Sequence, residues 1–304
     1  MRQSKGYTRF VGAAVGAVLL AVLACNTSFG SQPDTPATVQ SVYATITAHA
    51  EEAGLSTTAT ATEEPAATVD TAADDMDEAT ATAQVARTGN GTNLTFPRCS
   101  NDITVDGDNQ DWEALEGVPR FAIDQATYGA ANWEGPDDLS AYAWACWTDK
   151  MLYLIVAVTD DVHVQTESGA AAWKGDEVEL LFDRDLSGDF LDAEWNDDDI
   201  QLGLSPGNFE DNPPAAVRYF PAVRDLDAVA LAADAVDEGG YLLEVAVEWD
   251  VLNLTPVAGK NYGFCLALSD NDQAGTASQD TMASHCINLT VSDPTTWATL
   301  QLAD

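Results

Sequence analysis

The chain has 304 residues and a formal net charge of −38, with 12 Lys and Arg residues against 50 Asp and Glu residues. So few cations exclude the basic patches that nucleic-acid binding and docking on anionic lipid require, and we expect no nucleic-acid partner. The acidity suits an extracellular surface and sites that bind cations through oxygen. The length allows one or two domains.

Residues 1–24 have the composition of an export signal, because a basic start is followed by an apolar run too short for a membrane span. The run ends Val-Leu-Ala-Cys at residues 22–25, which resembles the lipobox of bacterial lipoproteins. This resemblance implies lipidation of Cys25, membrane contact through the N-terminal lipid only, and an extracytoplasmic location in a bacterial cell envelope. The alternative is an ordinary signal peptide that is cut nearby.

Residues 25–95 consist mainly of Thr and Ala with scattered Pro, Asp and Glu. Large apolar side chains are too sparse to form a core. We therefore expect a disordered tether that holds the folded part away from the membrane.

The composition changes at residue 96, and all eight Trp residues lie beyond it. Apolar residues then recur with period two between turn residues, which is typical of strands. This pattern predicts an all-β antiparallel β-sandwich over 96–304 with one helical turn at 250–254. The predicted strands are 102–105, 141–147, 152–159, 177–182, 200–204, 217–220, 228–233, 241–249, 262–269, 286–291 and 297–302.

A loop dense in carboxylates follows the strand predicted at 177–182. Its residues match positions 1, 3, 5, 6 and 12 of a calcium-loop pattern, where alternate oxygens converge and a glycine permits the turn. We therefore expect calcium as the cofactor. A solvated acidic loop is the alternative, since the chain is very acidic and no helix precedes the loop. The candidate ligands are Asp183, Asp185, Ser187, Asp189 and Glu194, with Gly188 at the turn.

Four cysteines remain when Cys25 is set aside: Cys99, Cys146, Cys265 and Cys286. In an exported domain they indicate two disulfides, with three possible pairings. We favour 99–146 and 265–286, the pairs closest in sequence order; buried free thiols are the alternative. The sequence contains no CxxC motif, which disfavours zinc and thioredoxin-like chemistry.

Five motifs occur in order: ITVDGDNQDW (103–112), DLSAYAWACWTDKMLYLIVAVTDDV (138–162), AWKGDEVELLFD (172–183), GGYLLEVAVEWDVL (239–252) and YGFCLALSDND (262–272). This succession resembles the family 9 carbohydrate-binding modules and the wider group of domains with their fold, over nearly all of 98–303. The resemblance implies a jelly-roll or immunoglobulin-like β-sandwich that binds calcium and holds an oligo- or polysaccharide with aromatic side chains.

The resemblance also places the sugar site. Trp173 is similar to a sugar-stacking Trp of the family. Glu179, on the next strand, and Gln201, at a polar position of the family pattern, are the implied hydrogen-bond partners of the sugar hydroxyls. The chain departs from the pattern at Val291, where a second Trp is expected, and at Gly203, where an Arg is expected. Trp133 lies in a loop rich in Gly and Pro and is a candidate second platform; Trp173 could instead pack over the sandwich edge.

The sequence also bears on three other functions. Glu177 and Glu179 form a carboxylate pair, but their spacing alone is weak evidence for a glycosidase, and without a GxSxG or HExxH motif we expect no enzyme. A structural or protein-interaction domain of the envelope could have kept the fold without sugar affinity. A b-type haem is the third, because some relatives on this fold bind one. Its candidate axial ligands are His163, His285, Met151 and Met282.

Overall fold

The computed structural model describes residues 92–115, 117–188, 190–236 and 240–304. The predicted export signal, the lipidation site Cys25, the tether up to residue 91 and the candidate ligand Asp189 lie outside the described residues. Within the described ranges, none of the helices has the length and apolar character needed to cross a bilayer.

The described chain is built mainly of strands. A short helix α1 spans Gln110–Glu113, and two 3-10 helices span Gly169–Lys174 and Pro294–Thr296. The strands are β1 Leu94–Phe96, β2 Arg120–Ile123, β3 Gln125–Tyr128, β4 Leu139–Trp147, β5 Met151–Asp160, β6 Glu177–Asp183, β7 Asp199–Ser205, β8 Ala215–Phe220, β9 Arg224–Asp225, β10 Val229–Ala235, β11 Tyr241–Glu248, β12 Asn261–Asp270, β13 Thr281–Ser284 and β14 Ala298–Leu302.

These strands form two sheets in the described part of the chain. The larger has the order β1-β14-β12-β6-β7-β8-β9, with β13 paired to β12 and β3 paired to β13. The smaller has the order β10-β11-β5-β4-β2. The short pair β1 and β14 is parallel, and the other pairs are antiparallel. The predicted antiparallel β-sandwich is confirmed.

The main core lies between the two sheets and follows the period-two alternation of the sequence. On β6, Val178, Leu180 and Phe182 point into this core. Their neighbours Glu177, Glu179 and Leu181 therefore point to the outer face of the larger sheet. On the smaller sheet, the same alternation puts Leu154 and Val156 in the core and leaves Ile155 outside it.

Both disulfides tie a covering segment to an outer face, and their pairing is the one that sequence order favours. Cys99 is bonded to Cys146 with a Cα–Cα distance of 5.0 Å, beside Trp112 and Ile155 on the smaller sheet. Cys265 is bonded to Cys286 with a Cα–Cα distance of 6.1 Å, beside Leu181 and Trp297 on the larger sheet. Each bond thus closes a secondary apolar cluster outside the main core.

Two predicted strands are wrong because side chains take the backbone groups that a partner strand would need. At 102–105 the Thr104 N–H donates to Asp111 (2.9 Å), and the chain runs as a loop. At 286–291 the Cys286 N–H donates to Ser284 Oγ (3.1 Å) and the Thr290 N–H donates to Thr296 Oγ1 (3.0 Å). The strand of this region is β13, which ends before Cys286.

Other differences concern short elements. The predicted helical turn at 250–254 is a run of turns. Strands β1, β2, β3 and β9 were not predicted, because two to four residues are too few to show a period-two pattern. Strand β1 begins at Leu94, two residues inside the segment predicted to be tether.

Glu244 fixes the first motif to the outer face of the smaller sheet. Its side chain is 0% exposed on β11. Its carboxylate accepts the indole N–H of Trp112 (2.8 Å) and the backbone N–H groups of Asp106 (2.9 Å) and Gly107 (3.1 Å). Three donors satisfy this buried charge without a basic residue.

We predict that Glu244→Ala lowers the free energy of unfolding by about 3–5 kcal/mol, since it leaves three buried donors without an acceptor. Urea denaturation measures this change. Glu248→Ala is the matched control, because Glu248 lies on the same strand and is exposed. Equal losses in the two variants would contradict the role assigned to Glu244.

Candidate functional site

Trp173 lies on the 3-10 helix Gly169–Lys174, at the entrance to β6. Its side chain is half-buried, and Lys174 Nζ lies 5.6 Å from the centroid of its rings. Its backbone carbonyl accepts a hydrogen bond from Ser269 Oγ (2.7 Å), and Gln279 Nε2 donates to the same hydroxyl (2.8 Å). Strand β12 and the loop before β13 therefore hold the helix that carries this indole.

Glu179 and Gln201, the two predicted polar partners, do contact each other. They lie on neighbouring strands β6 and β7, and Gln201 Nε2 donates to Glu179 Oε2 (2.7 Å). Each side chain is only 2% exposed. The structure thus brings the pair together on the outer face, where both side chains are buried.

Glu177 and Tyr219 form a second polar pair that sequence reasoning missed. The Tyr219 hydroxyl donates to Glu177 Oε1 (2.9 Å), and both side chains are buried. Tyr219 follows a shift in register between β7 and β8, and such a bulge leaves no sequence signal here. A Cβ added to Gly203 would lie 2.6 Å from the Tyr219 ring and 2.7 Å from Glu177 Oε2. The Arg expected at this position would have no room.

Trp133, the candidate second platform, is anchored to the body of the domain. Its indole N–H donates to the Leu139 carbonyl (3.0 Å), and its half-buried ring packs against the main core. Among the contacts of the described residues, none joins Trp133 to Trp173. The structure therefore does not bring these two rings together.

Trp195 occupies the region of the missing second Trp. Its indole N–H donates to the carbonyl of Val291 (3.2 Å), the residue at the family's Trp position. Its ring meets Phe220 edge to face, with centroids 4.2 Å apart, and Phe220 pairs with Gln201 in the sheet. A half-buried aromatic ring thus lies at the Gln201 end of the outer face. It comes from the segment before β7 and not from the segment that contains Val291.

Comparison with known proteins agrees with this architecture. A sequence model of the family described as carbohydrate family 9 binding domain-like matches residues 105–304. The chain belongs to this family. The family 9 domain also matches two solved structures of a family 9 module from Caldicellulosiruptor kristjanssonii, one with cellotriose and one with glucose. A search of curated proteins gives no match.

Both structural matches share 17% sequence identity with the chain. At this identity, the likeness to the cellotriose complex shows the fold alone. The cellotriose complex has a TM-score of 0.53, with 70% of this chain and 94% of that chain covered. The glucose complex has a TM-score of 0.49, with 68% and 95% covered.

The predicted calcium loop of the family 9 domain is spread out. Asp183 is buried at the end of β6, whereas Asp185, Ser187 and Glu194 are exposed. Asp185 N–H donates to Asp183 Oδ1 (2.8 Å), and Ser187 Oγ donates to Asp185 Oδ1 (3.2 Å). The carboxylates of Asp183, Asp185 and Glu194 do not form a group within 4.8 Å of one another. Since the candidate ligand Asp189 lies outside the described residues, calcium binding at this loop stays a prediction.

The haem alternative gains no support from the histidines. His285 is buried between Phe121 and Phe264, and its Nδ1 accepts the Leu266 N–H (3.1 Å). Burial lowers the pKa of His285 to about 4, and the ring stays neutral. His163 Nε2 lies 2.8 Å from the Gly207 carbonyl, and its Nδ1 forms an ion pair with Asp176. Both imidazoles already have partners.

Burial also changes the acidity of the outer-face carboxylates. It raises the pKa of Glu179 to about 7, although the hydrogen bond from Gln201 acts in the opposite direction. Burial and the neighbouring Glu179 raise the pKa of Glu177 well above its ordinary range, against the hydrogen bond from Tyr219. Each of these two enclosed carboxylates already has a fixed partner, Tyr219 for Glu177 and Gln201 for Glu179.

We predict that Glu179 makes the domain less stable as the pH rises. Its pKa is raised from an ordinary 4.5 to about 7 on folding, so its contribution is fully present below pH 4.5 and is lost as the pH passes 7. Glu179→Gln should remove this loss and gain about 3 kcal/mol relative to the wild type between pH 4.5 and pH 8. Urea denaturation across this range measures the difference, with Glu248→Gln as the exposed control; a difference independent of pH would refute the prediction.

Proposed function

We propose that the family 9 domain is a non-catalytic carbohydrate-binding module whose sugar lies against Trp173 on the outer face of the larger sheet. Family membership carries this proposal, since a family 9 module of the same fold is known with cellotriose. The half-exposed indole adds a local reason, because sugars present apolar C–H faces that stack on flat aromatic rings.

The surroundings of Trp173 suit a binding platform. Ser269 and Gln279 fix the backbone of its helix, so little conformational entropy is lost when a ligand binds. Lys174 lies beside the ring and offers three hydrogen-bond donors to sugar hydroxyls. Oligo- and polysaccharides fit an aromatic ring with neighbouring hydrogen-bond donors, because they carry many hydroxyl groups and need no charged partner.

Glu179 and Gln201 have a different role from the one first expected. Their burial keeps them from contacting sugar hydroxyls directly, and their mutual hydrogen bond joins β6 to β7. We infer that they support the face on which the ligand rests. This support acts on the shape of the site, whereas Trp173 supplies the contact area.

One observation favours a second candidate, a structural or protein-interaction domain. The family's second Trp is replaced by Val291, and the carbonyl of Val291 is taken by Trp195. A face with a single open aromatic ring binds sugar weakly at best, and a domain can keep a fold after losing a ligand.

We expect affinity between about 10 µM and 1 mM for soluble oligosaccharides, because one platform replaces two. Titration calorimetry should show that Trp173→Ala weakens binding at least tenfold. Tyr142→Ala is the control, since Tyr142 is an exposed aromatic residue on β4 of the other sheet.

Unchanged binding by Trp173→Ala would remove Trp173 from the site. If no mono- or oligosaccharide binds the wild type at millimolar concentration, the structural-domain candidate is the better account.

We also propose that the module is exported and held at a bacterial cell envelope by lipid on Cys25. The basic start, the apolar run and the Val-Leu-Ala-Cys sequence support this. Stable anchoring requires two or more acyl chains, since one chain binds only marginally. Mass spectrometry of the mature protein from a bacterial host should find Cys25 as an acylated N-terminus, and Cys25→Ser should abolish the acylation. Cleavage at another residue would exclude the anchor.

A further inference from the structure

A cleft of about 410 Å³ lies where the edges of both sheets meet the 3-10 helix Gly169–Lys174. Strands β8 and β9 line it from the edge of the larger sheet, and β10 lines it as the edge strand of the smaller sheet. Small-molecule sites have volumes of about 300–1,000 Å³, so the cleft is large enough for a ligand. Trp173 is not one of its lining residues, which makes the cleft a different site from the proposed sugar platform.

The floor of the cleft is apolar. Leu226 and Val229 line it and belong to the buried main core, and Leu231 packs half-buried against that core. An alkyl chain that lies on these side chains leaves water, which favours binding.

Three carboxylates stand around this floor, those of Glu167, Asp225 and Asp227. No Lys, Arg or His lines the cleft, and none of the ion pairs of the described residues includes one of the three acids. Arg224 precedes Asp225 on β9, but successive residues of a strand point to opposite faces. The cleft is therefore negatively charged and receives no cation from its own walls.

A second cleft of about 310 Å³ shows the opposite arrangement. It is lined by Asp149, Glu248 and Asp250, but Lys150 lines it as well. Asp149 also forms an ion pair with Arg98 (2.8 Å). The protein supplies cations to this second cleft, whereas in the cleft at β10 positive charge has to come with a ligand.

The spacing of the acids decides between kinds of cation. Among the described residues, Glu167, Asp225 and Asp227 do not form a group with oxygens within 4.8 Å of one another. They are too far apart to surround a single metal ion, which needs converging oxygens. Separated negative charges around an apolar floor instead match separated positive charges on an apolar chain.

We propose that the cleft binds an aliphatic di- or polyamine. Its ammonium groups donate charge-assisted hydrogen bonds to Glu167, Asp225 and Asp227, and its methylene chain lies over Leu226 and Leu231. An ammonium group has donors only and finds only acceptors in these three side chains.

A buried hydroxyl adds a polar group to the lining. Ser205 is 4% exposed, and its Oγ accepts the N–H of Gly207 (3.2 Å). A hydroxyl oxygen has two lone pairs, so the second can accept from an ammonium group. A polar group at this depth favours an amine over a purely apolar ligand.

Hydrogen bonds hold the walls of the cleft in place without a ligand. Gln165 is buried, its Nε2 donates to the Ala172 carbonyl (3.0 Å), and its Oε1 accepts the Glu167 N–H (3.0 Å). Asn212 Nδ2 donates to the Glu167 carbonyl (2.9 Å). Three segments of the lining are thus tied together, which lowers the entropy that binding costs.

The test is titration calorimetry of the full chain with hexamethylenediamine. Salt at about 0.15 M screens the general attraction between a diamine and a chain of net charge −38. The wild type should bind the diamine. The hexanediol of the same chain length carries no charge and should bind about tenfold more weakly or less. Magnesium at the same concentration should not displace the diamine, because it lacks the apolar chain.

The double variant Asp225→Asn, Asp227→Asn should weaken diamine binding about tenfold or more, since charge-assisted hydrogen bonds become neutral ones. Both side chains are exposed, so the fold does not depend on them. The matched control is Glu248→Gln, Asp250→Asn, which removes the same charge from exposed positions of the second cleft and should bind as the wild type does.

A third variant blocks the cleft without changing its charge. Ala215 is exposed and lines the cleft, so Ala215→Trp fills the space that the alkyl chain needs. It should also weaken binding about tenfold or more. Ala222→Trp is its control, because Ala222 is exposed on the same sheet edge and does not line the cleft.

Three results would overturn the proposal: no diamine binding by the wild type, equal losses in the two double variants, or full binding by Ala215→Trp. Equal losses would mean that the diamine is attracted by the net charge alone. Equal binding of the diol would contradict the role of the carboxylates. Because no sugar is used, these outcomes are separate from those that test carbohydrate binding.

Discussion

The domain depends on burying carboxylates in a chain that has almost no cations to pair with them. The chain has 12 Lys and Arg residues, and among the ion pairs of its described residues the buried acids Asp160 and Asp176 are paired with His163. The other acids discussed above therefore depend on a neutral donor or on a raised pKa that keeps the carboxyl protonated. Glu244 uses backbone and indole N–H groups, Glu177 uses a tyrosine hydroxyl, and Glu179 uses an amide. Asp270 has none of these, and burial raises the pKa of its carboxyl to about 9.

Hydrogen bonds from neutral donors also join neighbouring strands of the larger sheet. A carboxylate that accepts hydrogen bonds from a neighbouring strand links the two strands through side chains as well as through the backbone ladder. The outer face of the larger sheet has two such links, Glu177 with Tyr219 and Glu179 with Gln201. Glu177 pairs in the sheet with Ser269, whose hydroxyl donates to the carbonyl of Trp173. We infer that this link supports the proposed platform from below, and that the half-exposed indole is the part that a ligand reaches.

The sequence predicts those features that depend on local pattern. Alternation along 177–182 assigns the inner and outer faces of β6 correctly, and the order of the cysteines favours the observed pairs. Burial of Glu179 and the contact of Tyr219 with Glu177 depend on a bulge and on covering segments, which no local pattern records. The calcium-loop spacing at 183–194 is also a local pattern, and calcium binding there stays a prediction. The acids that do converge, such as Asp160 and Asp270, lie 110 residues apart and meet only through the pairing of whole sheets.

Strand β12 connects these features, because it carries a side chain that takes part in each of them. Cys265 joins it to the covering segment through the disulfide, and Ser269 holds the carbonyl of Trp173. Asp270, the next residue, groups with Asp160 of the smaller sheet at the sandwich edge. The end of β12 that holds the indole is therefore also the end at which acidic side chains from both sheets meet, so a single strand end determines the position of both groups.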